Sequence, residues 1–344
     1  MGETGLAPIS LSMTALSVLD LAPVIQGSDP GQALRNSRDL ARHAEKLGYR
    51  RFWLAEHHNM PGVASAATAV SLGFVAEGTS TIRIGAGGIM LPNHAPLVIA
   101  EQFGTLQALY GDRIDLGIGR APGTDQTTAY ALRRNLSSDI DHFPRDVVEL
   151  INYFRPEEPG QKVRAVPGSG SNVPVWILGS SLYGAQLAAM LGLPYAFASH
   201  FAPAELDRAA MIYRDRFQPS EFLDKPYFMP AINVFAAETD REARTLFSSL
   251  QQAFIALRTG NPGKLRPPIE DFDSQMDPGM AGMLAQSSSA AVVGSRETVA
   301  KGMADFIART GADELMITAS IFDHEARKRS FEIAAEAHRT LVPA

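Results

Sequence analysis

Residues 175–191 read VWILGSSLYGAQLAAML, an apolar run joined by small residues to a segment with helical spacing. The first four residues are apolar at every position, which is typical of a strand covered on both faces in a parallel sheet. Gly179, Ser180 and Ser181 form a short connection, and a helix is predicted to run from there to Leu191. This strand–turn–helix unit predicts an α/β fold with a parallel sheet.

The same alternation recurs along the chain. Apolar residues fall on one helix face in several segments: Leu40, Ala44 and Leu47; Ile99, Phe103, Leu106 and Leu109; Ala334, Ala337 and Leu341. Strands are predicted at residues 15–22, 50–55, 81–90, 113–119, 173–179, 194–199, 227–237 and 313–320. Eight such strands, each followed by helical spacing, predict a closed (β/α)₈ TIM barrel.

An open doubly wound sheet is the competing architecture, because it also alternates strands and helices. It favours a G-x-G-x-x-G fingerprint after the first strand. The first predicted strand instead ends in Asp20-Leu21-Ala22-Pro23. The sequence therefore favours the barrel.

Size and composition are those of a protein with a large buried core. At 344 residues and 37.0 kDa, the chain fits one barrel with insertions, so residues 1–344 are expected to form a single domain. Hydrophobic residues make up 45% and charged residues 20%, which argues against disorder. The net charge of -6 and the scattered basic residues give no sign of a nucleic-acid or membrane surface. The expected partner is a small molecule or a second copy of the chain.

Two absences narrow the chemistry. The chain has no cysteine, which excludes disulfides, thiolate metal sites and a cysteine nucleophile. Redox chemistry must then come from a bound cofactor. The first 23 residues contain no Lys or Arg, and no apolar run is long enough to span a bilayer, so a cytoplasmic location is expected.

Residues 258–294 interrupt the alternation between the seventh and eighth strands. They are rich in Pro, Gly, Ser and Met, and helices predicted at about 240–258 and 296–310 flank them. A segment this long inside a barrel is usually functional or disordered. We expect a mobile insertion that acts as a lid over the strand ends.

The residues just after each barrel strand form the active site. The second predicted strand ends in Glu56-His57-His58. Imidazole titrates near neutrality and can donate or accept a proton. A metal pair or a structural histidine is the alternative, but adjacent side chains on an extended segment point to opposite sides. One functional histidine is therefore favoured over a metal site.

The next strand ends carry glycine, arginine and serine. Gly87-Gly88 either admits a flat ligand or marks a tight barrel corner, and the spacing leaves both open. Arg120 can bind a phosphate or form a surface salt bridge. Ser180 and Ser181 begin a helix whose free N–H groups make an anion site, unless serine only caps the helix. Because the fourth and fifth strands are neighbours, one phosphate can lie between Arg120 and this helix start.

Five segments resemble those of one known family, in the same order. They are residues 48–58 (GYRRFWLAEHH), 82–92, 112–123, 179–194 and 293–295. On these segments the chain resembles the bacterial luciferase-like flavin-dependent oxidoreductases, from about Ala15 to Leu341.

The resemblance implies a set of FMN contacts. It implies that Arg120, Ser180, Ser181 and Gly184 bind the FMN phosphate. It implies that the isoalloxazine lies against Gly87-Gly88, where the family often has a non-proline cis peptide, and that Glu56 and Ser199 are further flavin neighbours. His57 matches the family's catalytic histidine.

The resemblance also implies a reaction. Reduced FMN, supplied by a separate flavin reductase, and O₂ would oxidise a small organic substrate in a homodimeric monooxygenase. Light emission is not expected, because Gly119 stands where the light-emitting subunit has a reactive cysteine, and Ala121-Pro122-Gly123 follow where it has an aromatic residue. Three alternatives remain: a deazaflavin (F420)-dependent dehydrogenase, a non-catalytic flavin-binding protein, and a metallohydrolase using Glu56, His57 and His58.

Overall fold

The computed structural model describes residues 14–120, 126–132 and 142–341. The strands are β1 Ala15–Asp20, β2 Arg51–Leu54, β3 Arg83–Met90, β4 Ile114–Gly119, β5 Val175–Gly179, β6 Tyr195–Phe197, β7 Phe228–Ala236, β8 Ala291–Gly294 and β9 Glu314–Thr318. The helices are α1 Pro30–Leu47, α2 Thr68–Glu77, α3 Pro96–Tyr110, α4 Gln126–Leu132, α5 Phe143–Phe154, α6 Leu182–Leu191, α7 Leu206–Arg216, α8 Asp240–Arg258, α9 Pro278–Ser287, α10 Arg296–Thr310 and α11 His324–Arg339.

Eight parallel strands close into a barrel. Their order is β6-β5-β4-β3-β2-β1-β9-β7, and β6 pairs with β7 to close the ring. The ninth strand, β8, lies outside the ring and pairs with the last four residues of β7. Each of the eight predicted strands overlaps one strand of the ring, so the (β/α)₈ prediction is confirmed.

Local sequence explains where the first helix begins and ends. Asp29 caps α1 by accepting a hydrogen bond from the Gln32 N–H, and Pro30 occupies the first helical turn. Gly48 ends the helix with φ of 87°, a left-handed conformation that glycine adopts without strain. The chain then turns directly into β2.

The barrel interior is filled by an apolar plug. Its members are Leu19, Trp53, Ala55, Trp176, Ala196, Met229, Ala231 and Met316. The Trp53 and Trp176 rings meet edge to face, with their centroids 5.2 Å apart. The alternate residues of the same strands, such as Phe52, Leu54 and Ile177, pack in a separate core with the surrounding helices. This two-sided burial accounts for strands that are apolar at every position.

A layer of buried charges lies below the plug, at the N-terminal ends of the strands. We call Arg51, Arg83, Asp115 and Glu314 the basal ionic layer. Arg51 contacts Asp115 at 2.7 Å and Glu314 at 2.9 Å, and Arg83 contacts Asp115 at 2.6 Å. Trp53 and Tyr227 also donate hydrogen bonds to these carboxylates. Sequence analysis did not identify this layer.

One expectation about the helical shell needs correction. Leu109 does not share the buried face of Ile99, Phe103 and Leu106: its side chain is 68% exposed. It lies in the last turn of α3, about 80° around the helix from Ile99 at 100° per residue. None of the described helices is long and apolar enough to cross a membrane.

The insertion between β7 and the last barrel strand has regular structure of its own. It contains a short 3-10 helix (Phe272–Gln275), α9 and β8, none of which was expected. Leu265 is buried and exchanges backbone hydrogen bonds with Val24 and Gln26, in the loop after β1. This part of the insertion is therefore fastened over the strand ends; its mobility stays a prediction.

Candidate active site

His57 follows β2 at the C-terminal mouth of the barrel. Arg51, Trp53 and Ala55 face the barrel interior, and His57 continues that alternation. Its Nδ1 atom is buried and has no hydrogen-bond partner. Burial lowers the pKa of His57; the neighbouring Glu56 opposes this effect and His58 adds to it. His57 is thus a neutral imidazole at pH 7.

Glu56 points the other way and joins two strand ends. Its Oε1 lies 2.7 Å from His58 Nε2 and 2.9 Å from His94 Nε2, and its Oε2 accepts a hydrogen bond of 3.0 Å from the Met90 N–H. Burial favours a higher pKa for Glu56, but the hydrogen bonds and charge of His94, then the bonds from His58 and Met90, hold the pKa below its usual value. An ionised Glu56 therefore fixes the end of β3 to the end of β2.

The metallohydrolase ligand set of Glu56, His57 and His58 is not assembled. The three groups whose ligand atoms converge are Glu56, His58 and His94, while His57 faces the barrel interior. These three are already joined by short hydrogen bonds, so their polar atoms are satisfied without an ion. Sequence analysis missed His94, although a histidine just beyond the third strand was a usable signal.

The Gly87–Gly88 peptide bond is cis, as the resemblance implied. A Cβ on Gly87 would lie 2.7 Å from Leu19 Cδ1, and a Cβ on Gly88 would lie 2.7 Å from the Gly117 carbonyl oxygen. Backbone packing therefore requires glycine at position 88, whereas at position 87 the nearest atom is the end of a leucine side chain. The contact at Gly88 supports the tight-corner explanation that the spacing had left open. Contact between this segment and a flat ring stays a prediction.

Arg120 and the start of α6 come together. The Arg120 guanidinium carbon lies 4.0 Å from the centre of the Tyr183 ring, and Tyr183 is in the first turn of α6. Within residues 14–120, 126–132 and 142–341, no carboxylate lies at ion-pair distance from Arg120. The structure gives no support to the surface salt bridge among these residues, and the tyrosine face orients the guanidinium beside the helix N-terminus.

The first turn of α6 keeps its N–H groups available. Ser181 is the N-cap residue, but its hydroxyl makes no capping hydrogen bond, and both Ser180 and Ser181 are exposed. Gly184 is buried one turn further on. A Cβ there would lie 3.3 Å from the Tyr195 ring and 3.4 Å from Gly179 Cα, so this glycine lets the helix pack against β5 and β6. Phosphate contact by Ser180, Ser181 and Gly184 stays a prediction.

Ser199 and His200 follow β6. Ser199 is fully buried, and its hydroxyl donates a hydrogen bond of 2.5 Å to the Ala231 carbonyl of β7. It therefore fixes the loop after β6, and its role as a flavin neighbour stays a prediction. His200 has a buried Nδ1 atom without a partner. Burial lowers the pKa of His200 to about 4, and the charge of His57 contributes to this shift. Sequence analysis ended this strand at Ser199 and missed His200.

The comparisons with known proteins agree on one family. A family model described as luciferase-like monooxygenase matches residues 14–314. The chain belongs to this family. A luciferase-like monooxygenase of Escherichia coli (strain K12) is 55% identical over 328 residues, which are 95% of this chain and 98% of the relative. An N-acetyl-S-alkylcysteine monooxygenase of Bacillus subtilis (strain 168) is 29% identical over 334 residues, 94% of this chain and 98% of the relative.

Solved structures share the barrel of this luciferase-like protein. Apo-MsnO8 has a TM-score of 0.89 and 36% identity, covering 96% of this chain and 100% of the other. The FMN complex of the oxygenating constituent of 3,6-diketocamphane monooxygenase from Pseudomonas putida has a TM-score of 0.70 at 18% identity, covering 94% and 98%. An F420-dependent secondary alcohol dehydrogenase has a TM-score of 0.68 at 16% identity, covering 95% and 99%. The last two show the fold alone.

The residues at the mouth fit a phosphate-bearing flavin. An arginine stacked beside an uncapped helix N-terminus is a donor set for an anion. The unpartnered Nδ1 atoms of His57 and His200 lie at the same end of the barrel. Family membership therefore makes the chain a flavin-dependent oxidoreductase of the monooxygenase type. The Ala121-Pro122-Gly123 segment, on which part of the argument against light emission depends, lies outside the described residues.

Proposed function

We propose that this luciferase-like protein is an FMN-dependent monooxygenase. A separate flavin reductase supplies its reduced FMN, and O₂ oxidises a small organic substrate at the barrel mouth. The observation that carries the proposal is the pairing of Arg120 with the uncapped start of α6, which supports binding of the FMN phosphate. The FMN in the diketocamphane monooxygenase complex and the monooxygenase activity of the Bacillus subtilis relative support the same function.

Different residues of the chain would bind the phosphate, transfer a proton and exclude water. Arg120 and the first N–H groups of α6 bind the phosphate, and Tyr183 holds the guanidinium in place. Bound reduced FMN supplies the electrons for O₂ activation. His57, neutral at pH 7, can accept or return a proton at Nδ1. The apolar plug excludes water from below, and Glu56 keeps the ends of β2 and β3 in register.

A deazaflavin-dependent dehydrogenase is the alternative on the same barrel, because an F420-dependent alcohol dehydrogenase shares the fold. Reconstitution separates the two. O₂ consumption with reduced FMN supports the monooxygenase, whereas substrate-dependent hydride transfer only with the deazaflavin supports the dehydrogenase. The third alternative is a flavin-binding protein without catalysis. It is supported if the native protein shows no turnover with either cofactor and His57→Ala keeps its flavin affinity.

The Arg120→Ala variant tests the phosphate site. Because only FMN carries the charge that the guanidinium pairs with, the substitution should weaken FMN binding about 10- to 100-fold and leave riboflavin affinity nearly unchanged. Fluorescence titration with each flavin measures both constants. Arg208→Ala, an exposed arginine on α7, is the control and should change neither. Equal losses for FMN and riboflavin in Arg120→Ala would remove the assignment.

We also propose that the chain forms a homodimer through α2 and α3. The two helices pack side by side, and the Tyr110 hydroxyl donates a hydrogen bond of 3.0 Å to the Gly73 carbonyl. Their outward faces carry exposed apolar side chains: Val70, Phe74, Val98 and Leu109. Helices that are apolar on both faces are usually covered on both. A second copy brings the same surface, so the patch is self-complementary.

A further inference from the structure

Two histidines lie on opposite sides of the barrel mouth. His57 follows β2 and His200 follows β6. These strands are four places apart in a ring of eight, so they lie on opposite sides of the barrel. The interior of an eight-stranded barrel is only wide enough for side chains to fill, so side chains from opposite strand ends can reach the same space. The contribution of His57 to the lowered pKa of His200 agrees with this arrangement. The two residues therefore stand on opposite walls of the same mouth.

Hydrogen bonds to β7 and within the loop hold the backbone around His200. Asn233 Nδ2 on β7 donates a hydrogen bond of 2.7 Å to the His200 carbonyl. Ser199 binds the Ala231 carbonyl, and the Ala202 N–H bonds to the Ala198 carbonyl at 3.0 Å. The loop that carries His200 is therefore preorganised at the mouth.

Both Nδ1 atoms are buried and lack hydrogen-bond partners. A buried polar atom without a partner carries a free-energy cost, so two at one place indicate a missing polar ligand. Burial keeps both rings neutral. The charged or titratable groups that act on them are Glu56 and His58 for His57, and His57 itself for His200. The carboxylate of Glu56 disfavours an anion here, and the neutral rings do not attract one.

We propose that His57 and His200 together bind an uncharged oxygen of the substrate, a hydroxyl or a carbonyl, between their Nδ1 atoms on the barrel axis. Each neutral imidazole can present Nδ1 as donor or acceptor, depending on its tautomer, so the pair can satisfy either group. The inference rests on the proposed function, because it names the substrate class for that site. His200 is then a second substrate-binding residue, and oxygen-bearing compounds are preferred over hydrocarbons of the same shape.

The test uses cyclohexanol, cyclohexanone and methylcyclohexane, which share ring size and shape. Binding is followed on the flavin-free protein by the ¹⁵N resonances of the imidazoles, with His57 and His200 assigned from single variants. The alcohol or the ketone should shift the resonances of both residues and bind about 3- to 10-fold more tightly than the hydrocarbon. No shift at His200 with any probe, or equal affinity for all three, would overturn the proposal.

A matched pair of variants separates binding from folding. His200→Asn keeps a polar atom near the Nδ1 position and should keep most of the preference, whereas His200→Leu should abolish it. His43→Asn is the control, because His43 on α1 is another imidazole with a buried, unpartnered nitrogen. A preference unchanged in His200→Leu would contradict the inference. Since FMN affinity is measured separately, loss of the probe preference and loss of flavin binding are distinguishable.

Discussion

Glu56 and His57 are neighbours in sequence, but their surroundings keep Glu56 ionised and His57 neutral. Glu56 faces outward, where two imidazoles and a backbone N–H stabilise its carboxylate. His57 faces inward, where burial stabilises the neutral ring. The alternation of an extended chain thus places a fixed negative charge and a neutral base one residue apart. The same logic makes His200 neutral from the other side of the mouth.

The depressed pKa of His200 predicts a loss of stability in acid. Its pKa is about 4 in the folded protein and close to 6.5 in the unfolded chain, so the unfolded chain binds more protons between these values. The contribution of His200 to the free energy of unfolding is therefore fully present above pH 6.5 and is lost as the pH falls toward 4. Between pH 7 and pH 4.5, the titration of His200 should lower the free energy of unfolding of the native protein by about 2 kcal/mol.

Urea unfolding of the native protein and of His200→Asn at pH 7 and pH 4.5 measures this effect. The variant should lose less stability across the interval, because asparagine does not titrate there. His142→Asn, at an exposed histidine, is the control. If the native protein and His200→Asn show the same pH dependence of stability, His200 has the same pKa in the folded and the unfolded state, and the prediction is wrong.

Strand-end position was enough to find some of these residues and not others. Glu56, His57 and Arg120 come directly after apolar strands, so the barrel rule locates them at the mouth. His94 and His200 lie further along their loops, and their positions depend on how those loops fold back. Only the three-dimensional arrangement shows that His94 meets Glu56 and that His200 lies across the mouth from His57.

At the level of elements, the outer faces of α2 and α3 carry the exposed apolar patch that we propose as the dimer interface. Their inner faces bury Leu72, Val75, Ile99 and Phe103 against the barrel. Sequence periodicity could not separate the inner face from the outer one, because apolar residues occupy both. This is the reason Leu109 was assigned to the wrong face.

A charge placed on this outer face should separate the dimer. Leu109→Lys and Val70→Glu, at side chains 68% and 77% exposed, should each weaken self-association by about 10-fold or more, because a charge would be buried at an apolar interface. Sedimentation equilibrium measures the dissociation constant. Met211→Glu, an exposed apolar position on α7, should leave it unchanged. A native protein that is monomeric at micromolar concentration would disprove this interface.

The helix α9 and the strand β8 of the insertion were not predicted from the sequence. The helix α9 begins at Pro278, and Asp277 accepts hydrogen bonds from the N–H groups of Gly279 and Met280, which is a recognisable start signal. Its glycines and serine obscured the helical period. The strand β8 has only four residues, so its sequence could not be distinguished from a loop. It pairs with β7 on the outside of the ring.

For the molecule as a whole, the basal ionic layer joins the starts of four barrel strands through buried charges. Asp115 accepts hydrogen bonds from Arg51, Arg83 and Trp53 and is fully buried. Removing one partner of a buried ion pair leaves the other charge uncompensated. The overall barrel was predictable from the alternation of strands and helices, but this layer was not, because each member sits at the start of a different strand.

Asp115→Ala should therefore destabilise the protein by about 3–5 kcal/mol without changing the mouth. Urea unfolding at pH 7 measures the stability, and FMN titration of the folded variant should give the native affinity. Asp305→Ala removes an exposed partner of Lys301 and should have little effect on either. A weakened FMN affinity in folded Asp115→Ala would mean that the layer also shapes the mouth.

A barrel sealed at its base has a single entrance. In the described part of the chain, the ionic layer and the apolar plug fill the lower and middle barrel, so anything that reaches the two histidines must arrive from above and depart the same way. Under the proposed function, flavin, O₂ and substrate would therefore share this one route.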